Sequence, residues 1–161
     1  MRHTITILVE NEFGVLTRIA GLFSARGYNI ETLNVAPTLD ETVSRLTLVT
    51  IGDEKTIEQI KKQLNKLIPV IKVEDISYTV HLERGMLMIK VVDAGDLRTN
   101  AKQAGANIID HEAGDYFIAE FTGTPEALDK FLASVDDEYV IESTRTGPVG
   151  MRRGCKGFVV G

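Results

Sequence analysis

The chain has 161 residues, of which 43% are hydrophobic and 25% charged, so it is a folded protein of one domain or of two small ones. Its formal net charge of -5 argues against binding to nucleic acid or to an anionic membrane, because both need clustered Lys and Arg. The single cysteine, Cys155, cannot form an internal disulfide, and no run of about 20 apolar residues predicts a membrane span, so we expect a cytoplasmic protein.

The first 51 residues predict a strand, a helix and a hairpin. Alternating residues in "TITILVE" are typical of a strand. The next segment has helical spacing and ends at Gly27, a frequent helix C-cap; its apolar residues are Val15, Leu16, Ile19, Leu22 and Phe23. "YNIETLNVAP" and "ETVSRLTLVTI" are rich in β-branched residues, and the turn residues Pro37 and Asp40 between them predict a hairpin.

A second helix and a fourth strand complete the first half. Asp53 is suited to cap this helix, Pro69 ends it, and "VIKVEDISYTV" follows as a strand. The order β-α-β-β-α-β predicts a ferredoxin-like sandwich with both helices on one face of the sheet. Leu8 and Val49 lie on the opposite face, so we expect a second protomer or another protein to cover it.

The second half repeats this order without repeating the sequence. Its strands are "MLMIKVV", "ANIIDHE", "DYFIAEF" and "EYVIEST", and its helices are "GDLRTNAKQAG" and "TPEALDKFLASV". The first of these helices, at Asp96 to Gln103, is short and poorly apolar. We therefore predict an α+β protein of two ferredoxin-like βαββαβ domains: residues 1–78, a linker at 79–84, and residues 85–161 with a tail rich in Gly and Arg.

The stretch "ENEFGVLTRIAGLFSARGYN" holds the candidate binding site. The first N–H groups of a helix are unpaired and favour a negative group, and Gly14 lets a ligand approach them closely. Asn11 and Asn29 are expected to be neighbours in a β-α-β unit, where their amides would bind an ammonium or a carboxylate. The same residues also fit a capped corner with no ligand, and spacing alone leaves both interpretations open.

Residues 1–76, with "VENEFGVLTRIAGLFSARGYNIETLNVAPTLDETVSRLTLVTIGDEKTIEQIKKQLNKLIPVIKV", resemble the N-terminal ACT domain of the regulatory (small) subunits of acetolactate synthase, also called acetohydroxyacid synthase. "LER", "LMIKV" and "RTGPVGMRRG" resemble the second domain of that family. The resemblance implies a non-catalytic subunit that activates a separate thiamine-diphosphate enzyme and makes it sensitive to branched-chain amino acids, usually valine. It also implies a homodimer formed through the ACT domains.

In the family the effector lies between protomers at the turn from strand 1 to helix 1. The matching effector-binding residues are Asn11, Gly14, Val15, Leu16, Asn29 and Ile30. Phe13 stands where many relatives carry Pro or Ser, which would narrow the pocket or change the preferred amino acid. The resemblance implies no cofactor in this chain, since thiamine diphosphate, Mg²⁺ and FAD belong to the catalytic subunit.

The tail allows two interpretations. It is either a flexible segment or part of the surface that contacts the catalytic subunit, with Arg145, Arg152 and Arg153 as charged contacts. "GPVGMRRGCKG" lacks the pattern of a phosphate-binding loop.

Other candidate sites are weak, and we predict neither a catalytic residue nor a metal site. "DHEAGD" gathers carboxylates and His111, but around a probable hairpin turn and without a second histidine at ligand spacing. His3 and His81 have no nucleophile or acid at a recognisable spacing. A free-standing ACT-type amino-acid sensor, acting on another enzyme or a transcription factor, is the alternative to the regulatory subunit. A small acylphosphatase-like enzyme is disfavoured because "ENEFG" has no arginine.

Overall fold

The computed structural model describes residues 1–161, which divide into two units: Met1–Leu82 with Val149–Gly161, and Glu83–Pro148. The first unit contains, in chain order, β1 (Arg2–Glu10), α1 (Val15–Ala25), β2 (Ile30–Pro37), β3 (Val43–Ile51), α2 (Glu54–Lys66) and β4 (Val70–Asp75). This is the predicted β-α-β-β-α-β order. None of the helices has the length and apolar character needed to cross a lipid bilayer.

The four strands of the first unit form one antiparallel sheet in the order β2-β3-β1-β4. Both helices pack on one face of it, as predicted for a ferredoxin-like fold. The buried residues shared by this face and the helices are Ile5, Ile7, Val9, Val15, Ile19, Phe23, Leu46, Leu48, Ile57, Ile60, Leu64 and Val70. Each of the larger side chains contributes about 1.5–3 kcal/mol through burial, which makes this cluster the main source of stability in the unit.

The helix ends follow from local sequence. After α1, Gly27 has a φ of 72°, its N–H donates to the Ser24 carbonyl, and the Tyr28 N–H donates to the Phe23 carbonyl. This paired arrangement closes a helix around a left-handed glycine. At the start of α2, the Asp53 side chain accepts from the Thr56 N–H at 2.9 Å, as the sequence predicts.

The opposite face of the sheet is covered in part by the chain itself. The tail contains a further strand, β9 (Val149–Arg152), that pairs with β5 (His81–Val92), and the Arg153 N–H donates to the Val80 carbonyl. A Cβ on Gly150 would lie 2.6 Å from Ile76 Cδ1 and 3.6 Å from Thr4 Cγ2. The tail therefore belongs to the first unit, and the prediction that placed it with the second domain is wrong.

The second unit has the same order of elements. After β5 come α3 (Leu97–Gln103), β6 (Asn107–Glu112), β7 (Tyr116–Gly123), α4 (Pro125–Ala133), a single 3₁₀ turn (Asp137–Tyr139) and β8 (Val140–Arg145). The sheet order is β6-β7-β5-β8. As predicted, α3 is short and buries mainly Ala101, whereas α4 buries Leu128 and Phe131.

The turn at Gly114 was predicted from the sequence, but the start of β5 was not. Gly114, with a φ of 79°, occupies the predicted turn between β6 and β7. The predicted linker at 79–84 is not a loop throughout, because β5 already begins at His81. Residues 81–84, "HLER", alternate between half-buried and exposed, but the half-buried positions hold His81 and Glu83 and not apolar residues, so the sequence does not have the apolar alternation of a strand.

Candidate functional site

The N-terminus of α1 has no cap from a side chain. Gly14, directly before it, has a φ of 84°, a conformation that glycine adopts readily, and no acidic residue lies in the first turn. By contrast, Asp53 and Thr124 accept hydrogen bonds from the first turns of α2 and α4. The first N–H groups of α1 are therefore available to a negatively charged group.

The space around Gly14 is open. No heavy atom lies within 4 Å of the position that a Cβ would take there. Phe13 is fully exposed, and Leu16 on the first turn is 43% exposed. This end of the helix thus offers unpaired donors beside apolar side chains, which suits an amino acid with a carboxylate and an aliphatic side chain.

Asn11 joins the turn after β1 to the turn between β2 and β3. Its backbone N–H donates to the Thr42 carbonyl at 2.8 Å, and its side-chain Nδ2 donates to the Glu41 carbonyl at 3.0 Å. The backbone N–H and one of the two side-chain N–H groups are therefore engaged within the protein. The side-chain carbonyl oxygen can accept from an ammonium.

Asn29 and Ile30 lie at the other end of the sheet, so the prediction that Asn11 and Asn29 are neighbours in one chain is wrong. Glu10 pairs with Val43, whereas Ile30 pairs with Thr50, and these two β3 residues are seven positions apart. At ~3.4 Å per residue, the two parts of the predicted site are separated by roughly 24 Å. The physical reason is that β1 and β2 run parallel, so α1 carries the chain back to the end where β1 began.

The apolar residues of the predicted site divide in the same way. Val15 is 4% exposed and its side chain packs in the core between α1 and the sheet, so its contribution to the predicted site is the backbone N–H at the helix terminus. Leu16 remains accessible. Ile30 is half-buried against the core. The Asn29 carbonyl accepts from Thr50 Oγ1 at 2.8 Å, and the Asn29 side chain, just before β2, is exposed.

The arginines predicted to contact a partner have partners or contacts within the chain. Arg145 Nη1 lies 2.6 Å from Asp129 Oδ1 in the second unit, and Arg152 Nη1 lies 2.8 Å from Glu74 Oε1 in the first. Arg153 is exposed, and its backbone N–H holds the tail to Val80. Both ion pairs are partly exposed, so they do not prevent Arg145 and Arg152 from contacting a partner.

The tail binds the sheet through contacts that were not predicted from the sequence. Arg45 Nη2 donates to the Gly150 carbonyl at 2.6 Å, and its guanidinium lies 5.3 Å from the centre of the Phe158 ring. Lys72 Nζ lies 5.2 Å from the same ring. Burial lowers the pKa of Arg45, and the charge of Glu74 opposes that effect. The available signal was one arginine, Arg45, among the apolar and Thr side chains of β3.

His3 and His81 each contact another group of the protein. His3 is completely buried, and its Nδ1 lies 2.8 Å from Asp75 Oδ2. His81 Nδ1 lies 2.8 Å from the Thr79 carbonyl. No group of three or more His, Cys, Asp or Glu side chains is arranged to hold a metal ion.

An open hollow of about 520 Å³ lies along α2, away from the predicted residues. Its lining is polar and basic: Arg26, Gln59, Lys62, Gln63, Asn65 and Lys66. It contains none of the predicted effector residues, and it lacks the aliphatic side chains that a branched-chain amino acid needs.

Two protein-family models match the chain. The family described as an AHAS small subunit-like ACT domain matches residues 5–72. The family described as the small subunit of acetolactate synthase matches residues 84–154.

Similarity to individual proteins extends over nearly the whole chain. The acetolactate synthase isozyme 3 small subunit of Escherichia coli strain K12 is 44% identical over 161 residues, which cover 97% of this chain and 98% of the relative. The probable acetolactate synthase small subunit of Archaeoglobus fulgidus is 42% identical over 160 residues, covering 97% and 99%. The crystal structure of the acetolactate synthase small subunit from Thermotoga maritima has a TM-score of 0.88 and 34% identity, covering 97% and 99%.

Proposed function

Since the chain belongs to the family of acetolactate synthase small subunits, and is thus a regulatory subunit of that enzyme, we propose that it raises the activity of the catalytic subunit and makes it sensitive to valine or a related branched-chain amino acid. In this proposal the chain is non-catalytic, acts in the cytoplasm and holds no cofactor. Thiamine diphosphate, Mg²⁺ and FAD would reside in the catalytic subunit.

The observation that carries the effector site is the uncapped N-terminus of α1 beside Gly14. The carboxylate of the amino acid would accept from the first N–H groups of the helix, where the helix dipole also favours negative charge. The Asn11 carbonyl oxygen would accept from the ammonium, and Leu16 would contact the aliphatic side chain. Each group of the ligand thereby meets a group of matching chemistry.

The remaining residues of the site would come from a second protomer. Asn29 and Ile30 lie roughly 24 Å along the sheet from the Gly14 end of the same chain, much farther than one amino acid can reach. A homodimer in which the Gly14 end of one first unit meets the Asn29 end of another would complete two identical sites. This arrangement brings Gly14 and Asn29 into one site, as the resemblance implies, without a change in the fold of either protomer.

Inhibition then follows from linkage. If valine binds more tightly to one arrangement of the dimer, and the catalytic subunit binds the two arrangements with different affinity, each ligand changes the equilibrium of the other. A coupling free energy of ~1–3 kcal/mol gives a change of about 5- to 150-fold in apparent affinity.

The experiment compares Gly14→Asp with Gly14→Asn. Both residues tolerate a positive φ and are nearly equal in size, but only Asp places a carboxylate against that of the effector. Acetolactate formation by the cognate catalytic subunit is measured with each variant over a valine titration. We expect both to activate, and Gly14→Asp to lose much more valine sensitivity than Gly14→Asn.

Equal valine sensitivity in both variants, at the level of the unmodified protein, would refute the site. Asn29→His is expected to lose valine binding too, and tight binding retained in it would remove Asn29 from the site. If the unmodified protein neither activated the enzyme nor made it valine-sensitive, with both proteins folded, the free-standing sensor would become the better interpretation.

A further inference from the structure

Three loops at one end of the first unit each carry an almost fully exposed large apolar side chain. Phe13 follows β1 and is 105% exposed, Leu39 lies between β2 and β3 and is 108% exposed, and Ile68 lies between α2 and β4 and is 92% exposed. We call these three residues the apolar loop face. Burial of these side chains against a partner would be favourable, because it would remove apolar surface from water.

The loops are bonded to one another. The Glu10 N–H donates to the Pro69 carbonyl at 2.8 Å, and the Asn11 N–H donates to the Thr42 carbonyl at 2.8 Å. Within the hairpin turn, the Thr38 N–H donates to the Val43 carbonyl at 2.8 Å. The three exposed side chains are thus carried on a platform that is ordered before binding, which reduces the entropy lost in an interface.

The same loops are strongly acidic. Residues 10–14, 38–42 and 67–69 contain no Lys or Arg, and their exposed carboxylates are Glu10, Glu12, Asp40 and Glu41. Hydrogen bonds from the Thr42 hydroxyl and backbone N–H lower the pKa of Asp40, so this carboxylate is fully ionised at neutral pH. This end of the unit therefore carries three protruding apolar side chains together with a negative charge, which favours a partner with apolar recesses and basic residues.

We propose that the apolar loop face docks on the catalytic subunit, at a surface with an apolar recess and basic residues around it. In the proposed homodimer only the Phe13 loop meets a second copy, at the Asn29 end of that copy. A contact between two apolar loop faces would bring four carboxylates against four identical ones, so Leu39 and Ile68 are left for a different partner.

This proposal rests on the proposed association with the catalytic subunit. It also suggests how a bound effector would influence the contact with that subunit. Phe13 is adjacent to Gly14, and Asn11 is hydrogen-bonded to the carbonyl of Glu41 on the neighbouring loop. An amino acid bound at the start of α1 would therefore contact the same loop that carries part of the docking face.

The test measures the affinity of the full chain for the purified catalytic subunit, together with its rate of association. The variant Leu39→Ser with Ile68→Ser removes two apolar side chains that lie outside the effector site. We expect its affinity to fall by about tenfold or more, as for truncation of central interface residues. The matched control is Ile141→Ser, which alters a 54% exposed isoleucine on β8 and is expected to change the affinity by less than about twofold.

A second variant addresses the rim. Glu12→Gln with Glu41→Gln keeps the size of both side chains and removes two charges. We expect slower association at low salt and a weaker dependence of the rate on ionic strength, because charge pairs at a rim act mainly on encounter. Valine binding to the isolated Leu39→Ser, Ile68→Ser variant is expected to remain normal, which shows that the fold and the effector site are intact.

Unchanged affinity in the Leu39→Ser, Ile68→Ser variant, while the unmodified chain binds the catalytic subunit, would overturn this inference and leave the proposed function in place. A change in the oligomeric state of the isolated variant, with its affinity for the catalytic subunit unaltered, would overturn it in favour of a contact between copies of this chain. Failure of the unmodified chain to bind the catalytic subunit at all would overturn both proposals.

Discussion

A dimer assembled from two different variants tests whether each effector site is shared between protomers. Gly14→Asp and Asn29→His alter residues that lie roughly 24 Å apart in one chain. If a site takes Gly14 from one protomer and Asn29 from the other, a mixed dimer has one site with both substitutions and one site with neither. By twofold symmetry, it should bind about one valine per dimer with the affinity of the unmodified protein.

The assay uses the two variants with different affinity tags, produced together and purified through both tags in turn. Valine binding is measured by calorimetry for the mixed dimer, for each variant alone and for unmodified protein carrying both tags. We expect about two sites per unmodified dimer, about one per mixed dimer and none for either variant alone. The holoenzyme made with mixed dimers should regain part of its valine sensitivity.

The reasoning fails if the mixed dimer binds no valine while the doubly tagged unmodified protein binds normally. That result would mean that both residues of one chain act in the same site, which the register of β2 and β3 does not permit without refolding. Binding by a single variant alone would also identify the residue that is not needed.

Two further predictions concern stability. Gly150→Ala should lower the free energy of unfolding in urea by about 1 kcal/mol, because its Cβ would lie 2.6 Å from Ile76 Cδ1, and Ile76 is 1% exposed and has little space in which to move that terminal methyl group. Gly157→Ala, whose Cβ would have its nearest contact at 3.4 Å, should have little effect, and equal stability of the two variants would contradict this. Hydrogen bonds from the Thr56 N–H and hydroxyl lower the pKa of Asp53, so its contribution is present above the unfolded pKa of about 3.9 and is lost as pH falls through the lower folded value. Asp53→Asn keeps a capping side chain without the charge. The melting temperature of this variant should therefore fall less steeply than that of the unmodified protein between about pH 5 and pH 3, where carboxylates titrate. An equal slope in the two proteins would contradict this prediction.

Features governed by neighbouring residues could be predicted from the sequence. The period of the apolar residues gave β1, α1 and α2, Asp53 marked the start of α2, and Gly27 marked the end of α1. Each depends on contacts within a few positions along the chain. Both βαββαβ orders were also predicted correctly, because an alternation of strand and helix periods restricts the topology to few choices.

Features governed by distant contacts could not be predicted in the same way. The separation of Asn11 from Asn29 is an exception, because a β-α-β unit joins parallel strands and the predicted topology therefore already implied it. β9 has only four residues and no periodic pattern, and its pairing depends on β5, Arg45 and Glu74. The exposed apolar residues of the loops also have no periodic signature, because no element of regular structure contains them.

The position of the tail has a consequence for the order in which the protein forms during synthesis. Residues 1–82 leave the ribosome well before β9, which joins them only after the whole of the second unit has been made. Until then Ile76 and the sheet surface near Thr4 lack the cover that Gly150 provides, and Arg45 lacks its hydrogen bond to that residue. A nascent chain paused in its second half would therefore carry an unfinished first unit, whose uncovered sheet is a natural contact for a chaperone or for a neighbouring nascent chain.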